Sequence, residues 1–165
     1  MLNKTSRLSV FTQGSDLSYP GQPTRNSQLS NLGTGLLLAP AVSFSPVISL
    51  SAYLGSERPH MDTNAARAST DRDIRGVNAS VNTSLTDKTS LTLSSQWQTS
   101  EYRDTNAIFL VKRDDTYKSL GLSLGYQYNN DFSLSAGWDY SETNSNISIN
   151  AYHRNRFSLT ARYDF

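Results

Sequence analysis

Apolar and polar residues alternate one by one along most of this chain. From Phe157, the apolar positions Phe157, Leu159, Ala161, Tyr163 and Phe165 are separated by Ser158, Thr160, Arg162 and Asp164. Successive strand side chains point to opposite faces, so this period describes a strand with one greasy and one wet face. A helix would scatter the same apolar residues around its circumference. The rhythm recurs upstream. Phe132, Leu134, Ala136, Trp138 and Tyr140 alternate with Ser133, Ser135, Gly137, Asp139 and Ser141. Leu120, Leu122, Leu124, Tyr126 and Tyr128 alternate with Gly121, Ser123, Gly125 and Gln127. Shorter runs of the same kind contain Leu91, Leu93 and Trp97; Val77, Ala79, Val81 and Leu85; and Ile48, Leu50, Ala52 and Leu54. The pattern predicts strands at about 5–14, 29–39, 45–57, 72–85, 89–103, 115–128, 132–142 and 152–165, within one domain over 1–165.

Two turns test this reading. Asn129-Asn130-Asp131 is rich in residues that tolerate left-handed backbone. A three-residue loop there sets Tyr128 against Phe132, Tyr126 against Leu134 and Leu122 against Trp138. Thr86-Asp87-Lys88 likewise sets Val81 against Leu93 and Val77 against Trp97, with Leu91 meeting Thr83. A one-residue slip would exchange the faces, so two hairpins with matching faces support a meander. Short links are expected near 40–45, 86–88 and 129–131, and long polar links near 15–28, 57–71, 104–114 and 143–151. Outer-membrane barrels alternate short periplasmic turns with long external loops in this way. An even strand number then puts both termini in the periplasm.

Composition bears on whether this is a soluble or a membrane β protein. The 165 residues have a formal net charge of +1 and a mean hydropathy of −0.50. That average resembles a soluble protein, yet it hides apolar residues gathered on one side of each strand. The opposite faces carry Ser, Gly, Thr, Asn and Gln with few long charged side chains, unlike a solvated surface rich in Lys and Glu. The predicted strands are also longer than the ~5–6 residues typical of globular proteins. They suit a tilted membrane strand, which needs about 9–11. Unsatisfied sheet edges are not tolerated in lipid, so such a sheet must close. The fold class expected is therefore all-β: an antiparallel up-and-down transmembrane β-barrel of about eight strands, or the C-terminal part of a larger barrel. The location expected is the outer membrane of a Gram-negative bacterium. No run approaches the roughly 20 apolar residues of a membrane helix. Met1–Arg7 has no apolar leader region, so the exported chain is expected to have lost its signal or to be the tail of a longer one.

Aromatic residues at strand ends suit interfacial girdles. Tyr126, Tyr128, Phe132, Tyr163 and Phe165 are expected near the periplasmic boundary; Trp97, Trp138, Tyr140 and Phe157 are expected toward the outer one. Asp139 and Arg156 fall at inward positions across from each other, as a lumen ion pair. The loop Glu57-Arg58-Pro59-His60-Met61-Asp62 and the segment Asp71-Arg72-Asp73 mix both charge signs. They suit a solvated external loop, with binding of lipopolysaccharide phosphates, a divalent ion or a partner protein as the alternative, and they lack the spacing of a calcium loop.

Catalytic chemistry finds little support. Cysteine is absent and only His60 and His153 are present, so no cofactor and no metal site is expected. A lipid hydrolase would need a serine paired with His153, but Ser148 and Ser158 each lie five positions away in a serine-rich chain. His60 with Asp62 imitates a protease pair only weakly. The modest, dispersed charge gives no footprint for nucleic acid.

Two stretches carry a resemblance. The final strand, with Tyr163 and a terminal Phe165, resembles the C-terminal signal of bacterial outer-membrane proteins, which implies insertion by the barrel assembly machinery. The segments Arg113-Asp114-Asp115-Thr116-Tyr117, Gly121-Leu122-Ser123-Leu124-Gly125-Tyr126, Ser141-Glu142-Thr143-Asn144-Ser145-Asn146 and Tyr152-His153-Arg154-Asn155 are similar to the last strands of porin-like barrels. Some of those barrels are linked to tetratricopeptide repeats, as in surface lipoprotein assembly modifiers. This resemblance covers about the last third of the chain. It implies the C-terminal part of a larger pore.

Three functions follow as expectations. The first is a non-enzymatic pore or export conduit, with outer-membrane lipid, lipopolysaccharide and an exported protein or polysaccharide as partners. The second is a small plugged structural or adhesin-like barrel, because eight strands closed alone enclose only their own side chains. The third is the lipid hydrolase.

Overall fold

The computed structural model describes residues 6–164. Eight strands follow in chain order: β1 (Ser6–Leu17), β2 (Ser27–Leu38), β3 (Val47–Pro59), β4 (Arg72–Thr86), β5 (Thr89–Thr105), β6 (Lys112–Gln127), β7 (Phe132–Ser145) and β8 (Tyr152–Tyr163). They form one antiparallel sheet in which each strand pairs with its sequence neighbour. The sheet is open between β1 and β8 among the described residues, an arrangement compatible with a barrel wall.

The registers keep every strand's faces aligned. Tyr126 lies opposite Leu134 and Leu122 opposite Trp138, as the turn after Gln127 requires. Val81 lies opposite Leu93, Val77 opposite Trp97 and Thr83 opposite Leu91. The β4–β5 turn differs in detail from the three-residue link expected. Thr86 pairs with Thr89, leaving Asp87-Lys88 as the turn, and the register shifts between Ser84 and Thr86. A bulge takes up the extra residue and keeps the two apolar sets facing each other.

The strands run further than the apolar period alone indicates. Links at one end therefore span only 18–26, 60–71, 106–111 and 146–151, not the longer stretches 15–28, 57–71, 104–114 and 143–151. The reason is that polar residues beyond the apolar band still pair as strands, for example Asp73 with Glu101 and Lys118 with Glu142. A short helix unexpected in an all-β chain, α1 (Asn64–Thr70), sits in the third-to-fourth strand link. The side chain of Thr63 caps it by accepting from the Ala66 N–H at 3.3 Å.

Apolar side chains form a band on one face. It spans Leu32–Leu38 on β2 and Ile48–Leu54 on β3, and lies at Leu120–Tyr126, Phe132–Tyr140 and Phe157–Tyr163 on β6, β7 and β8. The band crosses the hydrogen-bonded rows obliquely. Starting at its centre on β2, the row Gly35–Ser51–Asn78–Gln96–Ser119–Ser141–Arg154 ends six residues short of the band's centre on β8, Thr160. Six strand steps give one residue of drift per strand. With ~3.3 Å per residue along a strand and ~4.8 Å between strands, that drift corresponds to a tilt of about 35°. Closed barrels have such a tilt.

Candidate functional site: the polar wall and the charged rim

The two faces differ in size as well as polarity. The apolar face is exposed, with Leu54 at 64%, Leu122 at 40% and Phe157 at 78%. The polar face is half-buried over Ser49, Ser51, Tyr53 and Gly55 and becomes buried at Glu57. The polar side is thus the more closely covered one, and it becomes the concave wall when such a sheet closes with its apolar face to lipid. On β3–β6 below the link-bearing end, this wall carries Ser49, Ser51, Asn78, Ser80, Asn82, Gln96, Ser94, Thr92, Ser119, Gly121, Ser123 and Gly125. None of them is charged, and most occupy little volume.

The wall becomes crowded toward the end with the links 60–71 and 106–111. There Arg72 donates to Glu57 at 2.8 Å and to the Tyr102 hydroxyl at 3.2 Å. Ser27 donates to Glu57 at 2.5 Å. Arg113 pairs with Asp115 at 2.6 Å and lies over the Tyr102 ring at 4.8 Å. Ala66, Ile74, Tyr102 and Ile147 are buried here. Arg58 bridges Asp71 at 2.9 Å and Asp73 at 2.6 Å. In α1, Arg67 hydrogen-bonds Asp104 at 2.7 Å, Asn64 at 2.7 Å and also Asp62. Bonds to Asp62 and Asp104 push this guanidinium further toward its charged form. The mixed-charge loop is therefore a balanced, mutually paired rim.

Asp139 and Arg156 are register partners on the concave face, and Arg156 donates to Asp139 at 2.9 Å and 3.1 Å. Phe132 lies opposite Tyr163, and Tyr128 meets Phe132 edge-on at 6.4 Å; with Tyr126 they form an aromatic cluster at one end of the band. Trp97, Trp138, Tyr140 and Phe157 lie at its other end. Trp138 stacks with Tyr140 at 6.5 Å, lies opposite Phe157 and donates to Asn155 at 3.2 Å. Phe165 lies outside the described residues.

Among the described residues, neither histidine is hydrogen-bonded to a serine. His153 lies opposite Glu142 on the convex face, whereas Ser158, opposite Gly137, points to the concave one. His60 contacts Asp16 at 3.1 Å, while Asp62 is engaged by Arg67.

Alternation emphasises the apolar partners and passes over large residues on the wet face. Phe11 and Tyr53 are two of them, with Gly33 between them and Gly76 beyond in a single hydrogen-bonded row. Parity held the signal: Tyr53 shares its face with Ser49 and Ser51.

Residues 31–164 match a family model described as surface lipoprotein assembly modifier, a span far longer than the last third that carried the resemblance. No curated protein and no solved structure matches the chain. With its eight antiparallel strands, the chain belongs to the surface lipoprotein assembly modifier family, outer-membrane β-barrel proteins with a role in surface lipoprotein assembly.

Proposed function

We propose that the sheet forms wall of a non-enzymatic export conduit through which surface lipoprotein polypeptide crosses the outer membrane. The observation that carries this reading is the uncharged stretch of the β3–β6 wall from Ser49 to Gly125, mostly small residues, on the side of Tyr53 and Gln98 away from the rim. Eight strands closed alone make a barrel only as wide as its own side chains. A plugged barrel therefore needs bulky inward residues, and Ser, Gly and Thr leave that interior unfilled. A conduit needs the opposite: hydrogen-bonding groups without fixed charges that would hold a passing segment.

In this reading the short turns and both termini are periplasmic, and α1 with the paired rim lies at the cell surface beside lipopolysaccharide. The segment that carries Tyr163 and Phe165 serves recognition by the barrel assembly machinery. The test is surface display. Cells with the intact protein should expose a co-expressed surface lipoprotein to added protease, and cells lacking it should retain the lipoprotein inside. Equal exposure in both would overturn the proposal.

A further inference from the structure

Between its small-residue stretch and the ionic rim, the concave wall carries larger side chains. A hollow of about 300 Å³ lies on β1–β5 among Phe11, Gln13, Asn31, Tyr53, Asn78 and Gln98. Three glycines on adjacent strands shape it. A Cβ built at Gly33, Gly55 or Gly76 would collide with Phe11, Asn31 or Tyr53 respectively. With hydrogen at those positions, both rings and the amide lie down over the wall instead of standing into the interior. Tyr53 is also locked: its hydroxyl donates to Gln98 at 2.7 Å and accepts from Gln96 at 3.3 Å. The Asn31 Oδ1 atom is buried and has no hydrogen-bond donor among the described residues. A buried acceptor without a donor is a cost that a ligand N–H can remove once the amide turns. Arg72 also lines the hollow, and its charge is paired with Glu57 at 2.8 Å.

We propose that this hollow is a contact platform for an extended polypeptide stretch of the exported lipoprotein. The proposal rests on the conduit reading above. Amide side chains offer both donors and acceptors, so they can match a peptide backbone whatever its sequence. The two rings take up apolar side chains, and the lack of net charge imposes no selection on the cargo's charged residues. The family match to lipoprotein assembly makes polypeptide the occupant rather than polysaccharide.

The chain has no cysteine, so single cysteines carrying a benzophenone maleimide report one position each. In the intact protein, Tyr53→Cys and Gln98→Cys place the probe in the hollow. Their chain neighbours Leu54→Cys and Trp97→Cys place it on the other face of the same strands. During export, the first two should form adducts with the lipoprotein and the second two should not. Lipoprotein adducts absent from both hollow positions, formed equally from both faces, or replaced by polysaccharide adducts would overturn the platform. If the lipoprotein still reaches the surface only when the protein is present, the function proposal survives that failure. Using two independent hollow positions keeps the test decisive where Tyr53→Cys alone disturbs folding.

Discussion

Arg72 and Arg156 both pair with a carboxylate on the concave face, but in different surroundings. Glu57 is only 7% exposed beside Arg72, whereas the Asp139 and Arg156 side chains are 48% and 65% exposed. Removing one partner of a buried pair strands the other charge and costs about 3–5 kcal/mol. An exposed, screened pair contributes roughly 0–1 kcal/mol. Arg72→Met should therefore lower the temperature at which the folded band disappears on a gel far more than Asp139→Asn does. Equal shifts would count against the burial at the rim. Glycine is tested at the same scale. Gly76→Val should destabilise the protein because its side chain meets the Tyr53 ring, and less so in a Tyr53→Ser background. A double-mutant cycle measures that coupling, and additive effects would show that the ring does not lie over Gly76.

At the scale of the element, each strand makes two incompatible demands on neighbouring positions. Leu122 faces outward opposite Leu93 and Trp138, while Ser123 faces inward opposite Thr92 and Gly137. Arginine on the lipid face near the bilayer midplane costs about 2–4 kcal/mol. Leu122→Arg should thus sharply reduce folded protein in outer-membrane fractions, and Ser123→Arg should leave it close to normal; the reverse order would exchange the faces. The strands of this kind were legible because their apolar period is unbroken and their turns are tight. The same pattern placed Asp139 across from Arg156. Other elements had no such signal. A seven-residue helix is marginal in isolation, and α1 is held by Arg67 reaching Asp104, thirty-seven positions away. Tyr53 is masked in the sequence because hydrophobicity marks it as apolar, whereas its place in the alternation sets it on the wet face over Gly76. Strand ends were obscured at the rim because ladder hydrogen bonds continue there through charged residues that carry no apolar period.

At the scale of the whole molecule, the oblique band ties the sheet to a membrane. On β7 it runs from Phe132 to Tyr140, about 27 Å along the strand at ~3.4 Å per residue. At the tilt of about 35° this covers roughly 22 Å of depth, close to the ~25 Å apolar band of outer-membrane barrels. The concave wall narrows chemically from small and uncharged residues to a packed ionic rim. That gradient supports the proposed conduit, with the rim as its proposed outer mouth. All of it depends on which face meets lipid, and thiol labelling along β6 in native membranes measures this directly. Ser119→Cys, Gly121→Cys and Ser123→Cys should react with a water-soluble maleimide. Leu120→Cys, Leu122→Cys and Leu124→Cys should resist it and react with a lipid-borne reagent instead. Labelling by the water-soluble reagent at all six positions, or the inverse alternation, would contradict the account.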